Sequence, residues 1–438
     1  MINKEKVHII GGGLAGCEAA YQLAKREIPV ILHEMKPHKK SPAHKSDNLA
    51  ELICSNSLKS EKEDSAPYIL KRELLRLDSL LIKVAHSCRV PAGHSLSVDR
   101  EKFSLEITKI IERHPHISVV SKEVKEIPEK VPLIIACGPL PPPDFQKSLG
   151  ELVGNDFLYF FDAISPIVDA ETIDYDRSFW GARYEENSTD YLNCPLNKEE
   201  YETFVKELLR AERHPLKSFE KDIFFEACMP IEKLAERGID TLRFGPMKPK
   251  GLVNPLDGKM PYAVVQLRRE NNLTDAFNLV GFQTNLKYRE QDRVFKLIPC
   301  LKNAKFTRYG QMHKNTYINA PHILKPSLEM KSREMIFFAG QISGFEGYIE
   351  AIATGLISAL NVYSKLTCGK EIIFPPETAL GSLQNYLKNF TGKNYQPINM
   401  TFSLFPPLKE KEKKKKERRK KIAERAWERL NDYLNKVS

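Results

Sequence analysis

The architecture of this chain is set by VHIIGGGLAGCEAA, residues 7–20. The apolar VHII is typical of a short buried strand, and the alanine-rich residues after Gly16 are typical of a helix. Between them the glycines Gly11, Gly13 and Gly16 have the spacing G-x-G-x-x-G. A turn without side chains lets the backbone approach a pyrophosphate at the positive end of the following helix. The pattern therefore predicts half of a dinucleotide-binding fold.

A second strand and an acid complete this half-site. VILHE, residues 30–34, is predicted to be the next strand, and Glu34 stands 18 residues after Gly16. A carboxylate near this spacing accepts hydrogen bonds from the ribose of a bound dinucleotide. We predict that Glu34 and the glycine turn hold the cofactor, the turn residues being Gly11, Gly12, Gly13, Leu14, Ala15 and Gly16.

Two later segments are predicted to return to the same sheet. LIIAC, residues 133–137, leads into Gly138 and a run of prolines that forbids further regular structure. MIFFA, residues 335–339, leads into Gly340, Gly344 and Gly347 and then a helical segment, residues 349–363. Such a late glycine-rich turn favours FAD over NAD, because flavoproteins of this type close the second half of the cofactor site there. An ordinary close-packed turn is the alternative.

The aromatic-rich middle of the chain, with short strands and helices mixed, predicts an inserted domain. The expected fold class is α/β, a Rossmann-like FAD-binding domain of the glutathione-reductase type interrupted by an α+β insertion domain. The expected parts are residues 1–161 and 326–400 for the FAD-binding domain, 162–325 for the insertion, and 401–438 for a basic tail with an amphipathic helix.

Composition narrows the class of protein. No apolar run approaches the roughly 20 residues that span a bilayer, and the charged N-terminus lacks a signal-peptide core, so we expect a cytoplasmic protein without membrane contact. The 8 cysteines include no CxxC pair and no Cys/His cluster of zinc-ligand spacing. We therefore expect reduced thiols and no metal.

The positive charge is concentrated near the end of the chain. Of the net charge of +10, residues 409–421 contribute +7, with eight lysines, two arginines and three glutamates. Such a run is typical of a solvated helix face, and attachment to a polyanion is the alternative.

Several long sequence motifs, in the order in which they occur, resemble those of the folate- and FAD-dependent tRNA uracil-5-methyltransferase family. Besides the glycine turn they are ICSNSL (53–58), FEACMPIE (225–232), GFQTNLK (281–287), NTYIN (315–319) and the stretch from GQ (340–341) to GY (347–348). The similarity extends from residue 7 to about residue 400. A looser relative is the longer flavoprotein that modifies the wobble uridine of tRNA.

The resemblance implies methylation of carbon 5 of a uridine, in the T-loop of tRNA. Methylenetetrahydrofolate would supply the carbon, FAD would carry and reduce it, and NAD(P)H would supply electrons. Carbon 5 of uracil is a poor nucleophile until a thiolate adds at carbon 6, and a base must then remove the proton from carbon 5. Two cysteines can meet both needs.

The resemblance also implies roles for particular residues. Cys228 is expected to be the nucleophile and Cys54 the base or methylene-handling thiol, although the two roles could be exchanged. Glu226 and Glu232 would oppose a thiolate at Cys228 unless a cation or helix terminus compensates. Asn56, Gly138, Gln341 and Tyr348 join the expected cofactor ligands. His313 and Tyr317 are expected beside the folate, a hydrogen-bonded surface or interface histidine being the alternative for His313. Arg268 and Lys287 are expected beside the RNA, with Arg269, Lys248, Lys250 and the tail as further basic contacts.

Other functions remain open from the sequence. Ribosomal RNA could replace tRNA as the substrate, and the preference between NADH and NADPH and the oligomeric state, monomer or weak dimer, are not determined. An FAD oxidoreductase of a small metabolite would need the same glycine turns but neither Cys54 nor Cys228. A non-catalytic FAD-bearing assembly protein is a third possibility.

Overall fold

The computed structural model describes residues 5–154, 157–183, 185, 188–215, 229–392, 395–410 and 412–437. The strands in these ranges are β1 (Val7–Ile10), β2 (Val30–Glu34), β3 (Ser57–Ser60), β4 (Arg89–Val90), β5 (Ser95–Val98), β6 (Ile117–Ser121), β7 (Leu133–Ile135), β8 (Phe157–Ala163), β9 (Ile167–Asp169), β10 (Phe179–Gly181), β11 (Tyr191–Leu196), β12 (Ala263–Arg269), β13 (Ala276–Leu279), β14 (Phe306–Arg308), β15 (Met312–Ile318) and β16 (Ile336–Phe338).

The α-helices of the same ranges vary from one turn to more than six. They are α1 (Leu14–Ala24), α2 (Ala66–Arg76), α3 (Leu80–Ser87), α4 (Arg100–Arg113), α5 (Pro143–Val153), α6 (Lys198–Arg210), α7 (Ile231–Ala235), α8 (Thr241–Phe244), α9 (Tyr288–Phe295), α10 (Ala320–Ile323), α11 (Tyr348–Thr367), α12 (Ala379–Asn389) and α13 (Lys415–Val437).

A five-stranded parallel sheet carries the glycine turn. Its strand order is β16-β7-β1-β2-β6, so the late strand β16 lies beside β7, as the two later apolar segments predict. Strands β7 and β16 are short, fully buried apolar runs, which is typical of parallel strands covered by helices on both faces. Helices α1 and α11 cross closely, and a Cβ added to Gly355 would lie 2.3 Å from the Ala15 carbonyl oxygen. The predicted α/β fold is confirmed.

The second large sheet is antiparallel and lies within residues 167–308. Its order is β10-β11-β12-β13-β9-β14, and one face packs on α6 and α9 through a separate apolar core. Asn197 caps α6 in a reciprocal pair with Glu200, the arrangement that most firmly starts a helix. The chain enters this sheet from β8 and leaves it into β15, which pair with each other. The domain boundaries at residues 162 and 326 remain predictions.

The part of the molecule built on the parallel sheet, here called the first lobe, is joined by several contacts to the part built on the antiparallel sheet, here called the second lobe. Arg100 at the start of α4 forms an ion pair with Glu270, 2.8 Å apart, and Tyr191 donates a hydrogen bond to the Ala92 carbonyl at 2.9 Å. His94 lies 2.7 Å from the Glu185 carboxylate. These contacts hold the two lobes in one orientation.

Helix α13 packs on α2 through the apolar face that its spacing predicts. Ile422, Ala426 and Leu430 are buried, and the Arg72 guanidinium lies 3.8 Å from the centre of the Trp427 ring. The basic residues therefore occupy the opposite, exposed side of the same helix.

The expectation that all cysteines are reduced thiols is wrong for two of them. Cys194 on β11 and Cys300, which follows α9, form a disulfide across 106 residues of chain. The sequence gives no local signal for this pair, because the antiparallel sheet brings the two segments together only in the folded protein. Cys17, Cys54, Cys88, Cys137 and Cys368 are not part of a disulfide.

None of the described helices is both long and apolar enough to cross a lipid bilayer. Within the same described ranges, no three histidine, cysteine, aspartate or glutamate side chains lie close enough to hold a metal ion.

Candidate functional site

The glycine turn between β1 and α1 is sterically closed at two of its positions. Gly11 has φ +106°, and a Cβ there would lie 2.4 Å from the carbonyl oxygen of Ala136 at the end of β7. A Cβ on Gly16 would lie 1.9 Å from the Gly11 carbonyl oxygen. Because both obstacles are backbone atoms, side chains at these positions would displace the turn itself.

Two helix N-termini face the space beside this turn. The N-caps of α1 and α11 are Gly13 and Gly347, and neither supplies a side-chain hydrogen bond to its helix. Both glycines line the same cleft. The partial positive charge and free N–H groups of a helix N-terminus favour anions such as a pyrophosphate.

The cleft encloses a cavity volume of about 210 Å³ and opens to solvent beyond it. Its predicted lining residues come from all parts of the first lobe and from β15. They are Gly11, Gly13, Leu14, Ala15, Glu34, Cys54, Gly138, His313, Gly340, Gln341, Gly347 and Tyr348.

The residues present fit FAD. Glu34 receives hydrogen bonds from the Gly12 and Lys36 backbone N–H groups, at 2.8 and 3.0 Å, which hold its carboxylate at the end of β2. A carboxylate so held retains lone pairs for ribose hydroxyls. A Cβ added to Gly13 would have no atom of the described residues within 4 Å, so the turn leaves open space where the pyrophosphate would pass. These observations support a bound dinucleotide at this place.

Cys54 lies half-buried on the cleft wall, in a turn that Tyr348 fastens. The backbone N–H groups of Cys54 and Ser55 both donate to the Tyr348 hydroxyl, at 2.9 and 3.1 Å, and that hydroxyl donates to the Ser55 carbonyl at 3.0 Å. Burial raises the pKa of Tyr348 well above its ordinary value, so the phenol keeps the proton it donates. The thiol is thereby fixed beside the N-terminus of α11.

A permanent cation stands behind Cys54. The Arg100 guanidinium donates to the carbonyls of Leu52 and Ile53, at 2.6 and 3.1 Å, and interacts electrostatically with Cys54. Burial opposes this charge, but Glu270, Tyr348 and Cys54 together outweigh it and raise the pKa of Arg100. A nearby cation favours the thiolate form of a cysteine.

His313 and Asn315, both on β15, form another part of the cleft wall. Both line the cleft from the same side of β15, and the His313 Nε2 atom is buried without a hydrogen-bond partner among the described residues. Burial lowers the pKa of His313, and the positive charge of Arg308 lowers it further. A neutral imidazole with an unused ring nitrogen therefore faces the cleft, available to a ligand.

Seven predicted site residues lie elsewhere than on the cleft wall. Gly12 and Gly16 are inside the turn and Gly344 packs on the Tyr395 ring. Tyr317 is buried in the core of the first lobe and donates to the Tyr395 carbonyl at 3.1 Å. The remaining three are Asn56, buried between the lobes; Arg268, buried on β12; and Lys287, on the surface in an ion pair with Glu212 at 2.6 Å.

Cys228 and Glu226 lie outside the described residues. The segment that follows them is described, and its hydrogen bonds show how the carboxylate of Glu232 is held. That carboxylate accepts hydrogen bonds from the Asn285 N–H at 2.7 Å and the Thr284 hydroxyl at 2.9 Å. Burial raises the pKa of Glu232, which weakens any negative charge it would impose on its neighbourhood. The segments MPIE (229–232) and GFQTNLK (281–287) therefore pack against each other.

Arg100 and Asn315 belong to the site but are only weakly indicated as site residues by the sequence. Arg100 is the first residue of α4, where a cation opposes the helix dipole, so another contact must hold it there. Asn315 lies two residues from His313 on a strand and therefore shares its face.

Asn56→Ala is expected to lower the free energy of unfolding by about 2 kcal/mol. The Asn56 amide donates to the carbonyls of Val98 and Arg269, both at 3.0 Å, and so joins the two lobes. Chemical denaturation of the apoprotein measures the loss, with the exposed Asn303→Ala as control. Unchanged stability combined with lost FAD affinity would instead support the predicted role in cofactor binding.

His44 gives the protein a defined sensitivity to acid. It lines the cleft, and burial, aided by the charge of Lys36, lowers its pKa to about 4. The unfolded chain, with an ordinary pKa near 6.5, binds a proton that the native protein does not. The free energy of unfolding should therefore fall as pH drops from 6.5 towards 4, by up to about 1.4 kcal/mol per pH unit.

His44→Gln is expected to remove that part of the pH dependence. Denaturation midpoints at pH 7 and pH 4.5 compare the variant with the wild type, and His38→Gln at an exposed position is the matched control. If the His44 variant loses as much stability in acid as the control, the assignment to His44 fails.

Comparison with known proteins adds independent information. The family model of glucose inhibited division protein A matches residues 6–370. Proteins named methylenetetrahydrofolate–tRNA-(uracil-5-)-methyltransferase TrmFO are similar over nearly the full length. The one from Natranaerobius thermophilus is 50% identical, covering 98% of this chain and 99% of its own. The one from Moorella thermoacetica is 51% identical, covering 98% of both.

Among solved structures, GidA of Aquifex aeolicus has a similar fold. The form II crystal superposes with a TM-score of 0.69 at 16% identity, covering 99% of this chain and 74% of that protein. At this identity the likeness speaks for the fold alone.

Proposed function

The chain belongs to the TrmFO family of methylenetetrahydrofolate–tRNA-(uracil-5-)-methyltransferases, within the wider glucose inhibited division protein A family, and we propose a mechanism on that premise. The enzyme methylates carbon 5 of a uridine in tRNA, with methylenetetrahydrofolate as the carbon donor and FAD as the cofactor. The T-loop uridine is the proposed target, and NAD(P)H the proposed electron source. Because these substrates are cytoplasmic, we expect the enzyme to act there.

The observation that carries the mechanism is that Cys54 and the dinucleotide turn line one cleft. FAD, when bound, supplies a carrier for the one-carbon unit and the electrons that convert it to a methyl group. An ordinary FAD oxidoreductase of a small metabolite has no need for a thiol beside its cofactor, which favours the methyltransferase.

The thiol at Cys54 is proposed to act on the pyrimidine as base or as methylene-handling group, and Cys228 as the nucleophile at carbon 6. Arg100 would keep Cys54 in the thiolate form, and Tyr348 would hold the turn so that the sulfur points into the cleft. A thiolate can accept the proton of carbon 5, whereas a thiol cannot. The exchange of roles between the two cysteines remains open.

The wall formed by His313 and Asn315 is proposed to bind the folate. Its neutral imidazole offers a flat face for a pterin ring and an unused Nε2 for a hydrogen bond. The buried Asn315 amide stands next to it and can pair with the amide-like edge of a pterin. Both residues line the same cleft as the glycine turn, so a folate held by them would lie near the bound cofactor.

Transfer of a labelled one-carbon unit tests this function. The purified protein is incubated with methylene-labelled methylenetetrahydrofolate, NADPH and tRNA from a strain that lacks 5-methyluridine. We expect label in 5-methyluridine by mass spectrometry of nucleosides. Label in ribosomal RNA instead would identify ribosomal RNA as the substrate. No label in either RNA would contradict the proposal.

A further inference from the structure

The second lobe exposes large apolar side chains in one short segment. Ile239, Phe244, Val253, Leu256 and Met260 are 55%, 71%, 61%, 71% and 61% exposed. Single exposed apolar residues are normal, but several of them in one short segment are more typical of an interaction site.

Contacts beneath part of this segment join Ile239, Phe244 and Tyr262. The Arg243 guanidinium lies 4.1 Å from the centre of the Tyr262 ring and 5.1 Å from that of Phe244. The Tyr201 ring stacks edge-on against Tyr262, 5.5 Å away, and its hydroxyl donates to the Ile239 carbonyl at 2.6 Å. Met260 is two residues from Tyr262, so Ile239, Phe244 and Met260 lie around one aromatic cluster.

The segment that carries Val253, Leu256 and Met260 is held in place rather than loosely attached. Asn254 N–H donates to the Lys259 carbonyl at 2.9 Å, and Gly258 N–H donates back to the Asn254 carbonyl at 2.9 Å, which closes a tight hairpin. Leu252 is buried with Phe179 and Val264 on the sheet and anchors its base. Leu256 is thus presented at the tip of a fixed hairpin.

Two free cations accompany the apolar groups. Lys250 and Lys259 are exposed, and no carboxylate of the described residues forms an ion pair with either. Between residues 237 and 262 five lysines and arginines face two aspartates, so the segment is positively charged. Apolar side chains interleaved with unpaired cations match unstacked bases and their phosphates better than they match a protein surface.

We propose that the hairpin surface, defined as Ile239, Phe244, Lys250, Val253, Leu256, Lys259 and Met260, docks a single-stranded or loop region of the RNA substrate. The proposal rests on the proposed function. Lys250 and Lys259 contact phosphates, while Phe244, Leu256 and Met260 support unpaired bases. The basic side of α13 differs, since its apolar face is already buried on α2 and only charges remain exposed.

Two double variants test the surface. Lys250→Glu/Lys259→Glu removes the cations, and Leu256→Ser/Met260→Ser removes the apolar tip. We expect each to raise the Kd for unmodified tRNA about tenfold at moderate salt, with a flatter dependence on salt only for the lysine pair. FAD content and the rate of flavin reduction by NADPH should stay at wild-type values, because neither measurement involves RNA.

Matched controls carry the same changes away from the surface. Lys147→Glu/Lys388→Glu makes the same change in charge, and Leu273→Ser removes an apolar side chain that is 82% exposed. Both should bind tRNA within about twofold of the wild type. Affinities of the surface variants equal to those of the controls would overturn the proposal, as would a change of oligomeric state in the Leu256→Ser/Met260→Ser variant without a change of Kd.

The binding measurement is independent of methyl transfer. If the wild type binds tRNA at this surface but transfers no label, the proposed function fails and the surface stands. If label is transferred and the surface variants bind normally, the surface fails alone.

Discussion

Cys54→Ala is expected to lower kcat for tRNA methylation at least about a hundredfold while FAD content stays unchanged. General base and nucleophilic groups commonly contribute 10²–10⁴-fold, and no other side chain of the described cleft wall offers a reactive thiolate. The variant removes only the side chain, so the backbone N–H groups that hold the turn through Tyr348 remain. Steady-state methylation with labelled folate measures the loss.

Cys137→Ala is the matched control for this prediction. Cys137 lines the same cleft, but burial raises its pKa to about 12, so it stays a protonated and inert thiol at neutral pH. We expect the control to keep activity within a few-fold of the wild type. Equal activities of the Cys54 and Cys137 variants would remove Cys54 from the mechanism.

Gly16→Ala is expected to yield a protein that does not retain FAD. A Cβ at this position would stand 1.9 Å from the Gly11 carbonyl oxygen, which cannot move without opening the turn that receives the pyrophosphate. Overpacking of this kind costs about 1–3 kcal/mol or more, and each 1.4 kcal/mol is tenfold in affinity. Absorbance near 450 nm after gel filtration measures the bound flavin.

Gly13→Ala is the control for steric overlap within the glycine turn. A Cβ on Gly13 would meet nothing within 4 Å in the described part of the chain, and the residue has ordinary extended backbone angles. The apoprotein of this variant should therefore unfold at the same denaturant concentration as the wild type, while Gly16→Ala should unfold earlier. A flavin-saturated Gly16→Ala protein of normal stability would contradict the assigned packing.

Local patterns predicted the first lobe well, because its elements follow from neighbouring residues. The strands at Val7–Ile10 and Val30–Glu34 lie where the apolar runs predict them, and β16 joins the sheet where the late run predicts it. Glycine positions in the turn could also be inferred, since a backbone close to a phosphate excludes side chains.

Residues on one face of a strand were harder to assign to the cleft or to the core, because their position along the strand decides between the two. His313 and Tyr317 share one face of β15, but four residues of strand separate them by roughly 13 Å. The cleft ends between them, so His313 lines it and Tyr317 lies in the core. Asn315, between the two, was missed although the same alternation points to it.

Residues that act across the chain left almost no local signal. Arg100 reaches the residues before Cys54 only because α4 packs beside that turn, and Asn56 reaches Arg269 only because the lobes meet there. The disulfide between Cys194 and Cys300 has the same origin. Such contacts are decided by tertiary packing, which no window of sequence contains.

Release of tritium from tRNA labelled at carbon 5 of uridine tests most directly whether a cleft thiol and the flavin act on one pyrimidine. We predict release by the wild type that requires both methylenetetrahydrofolate and NADPH, and its loss in Cys54→Ala. Release that continues undiminished in Cys54→Ala, or that needs no folate, would contradict this mechanism.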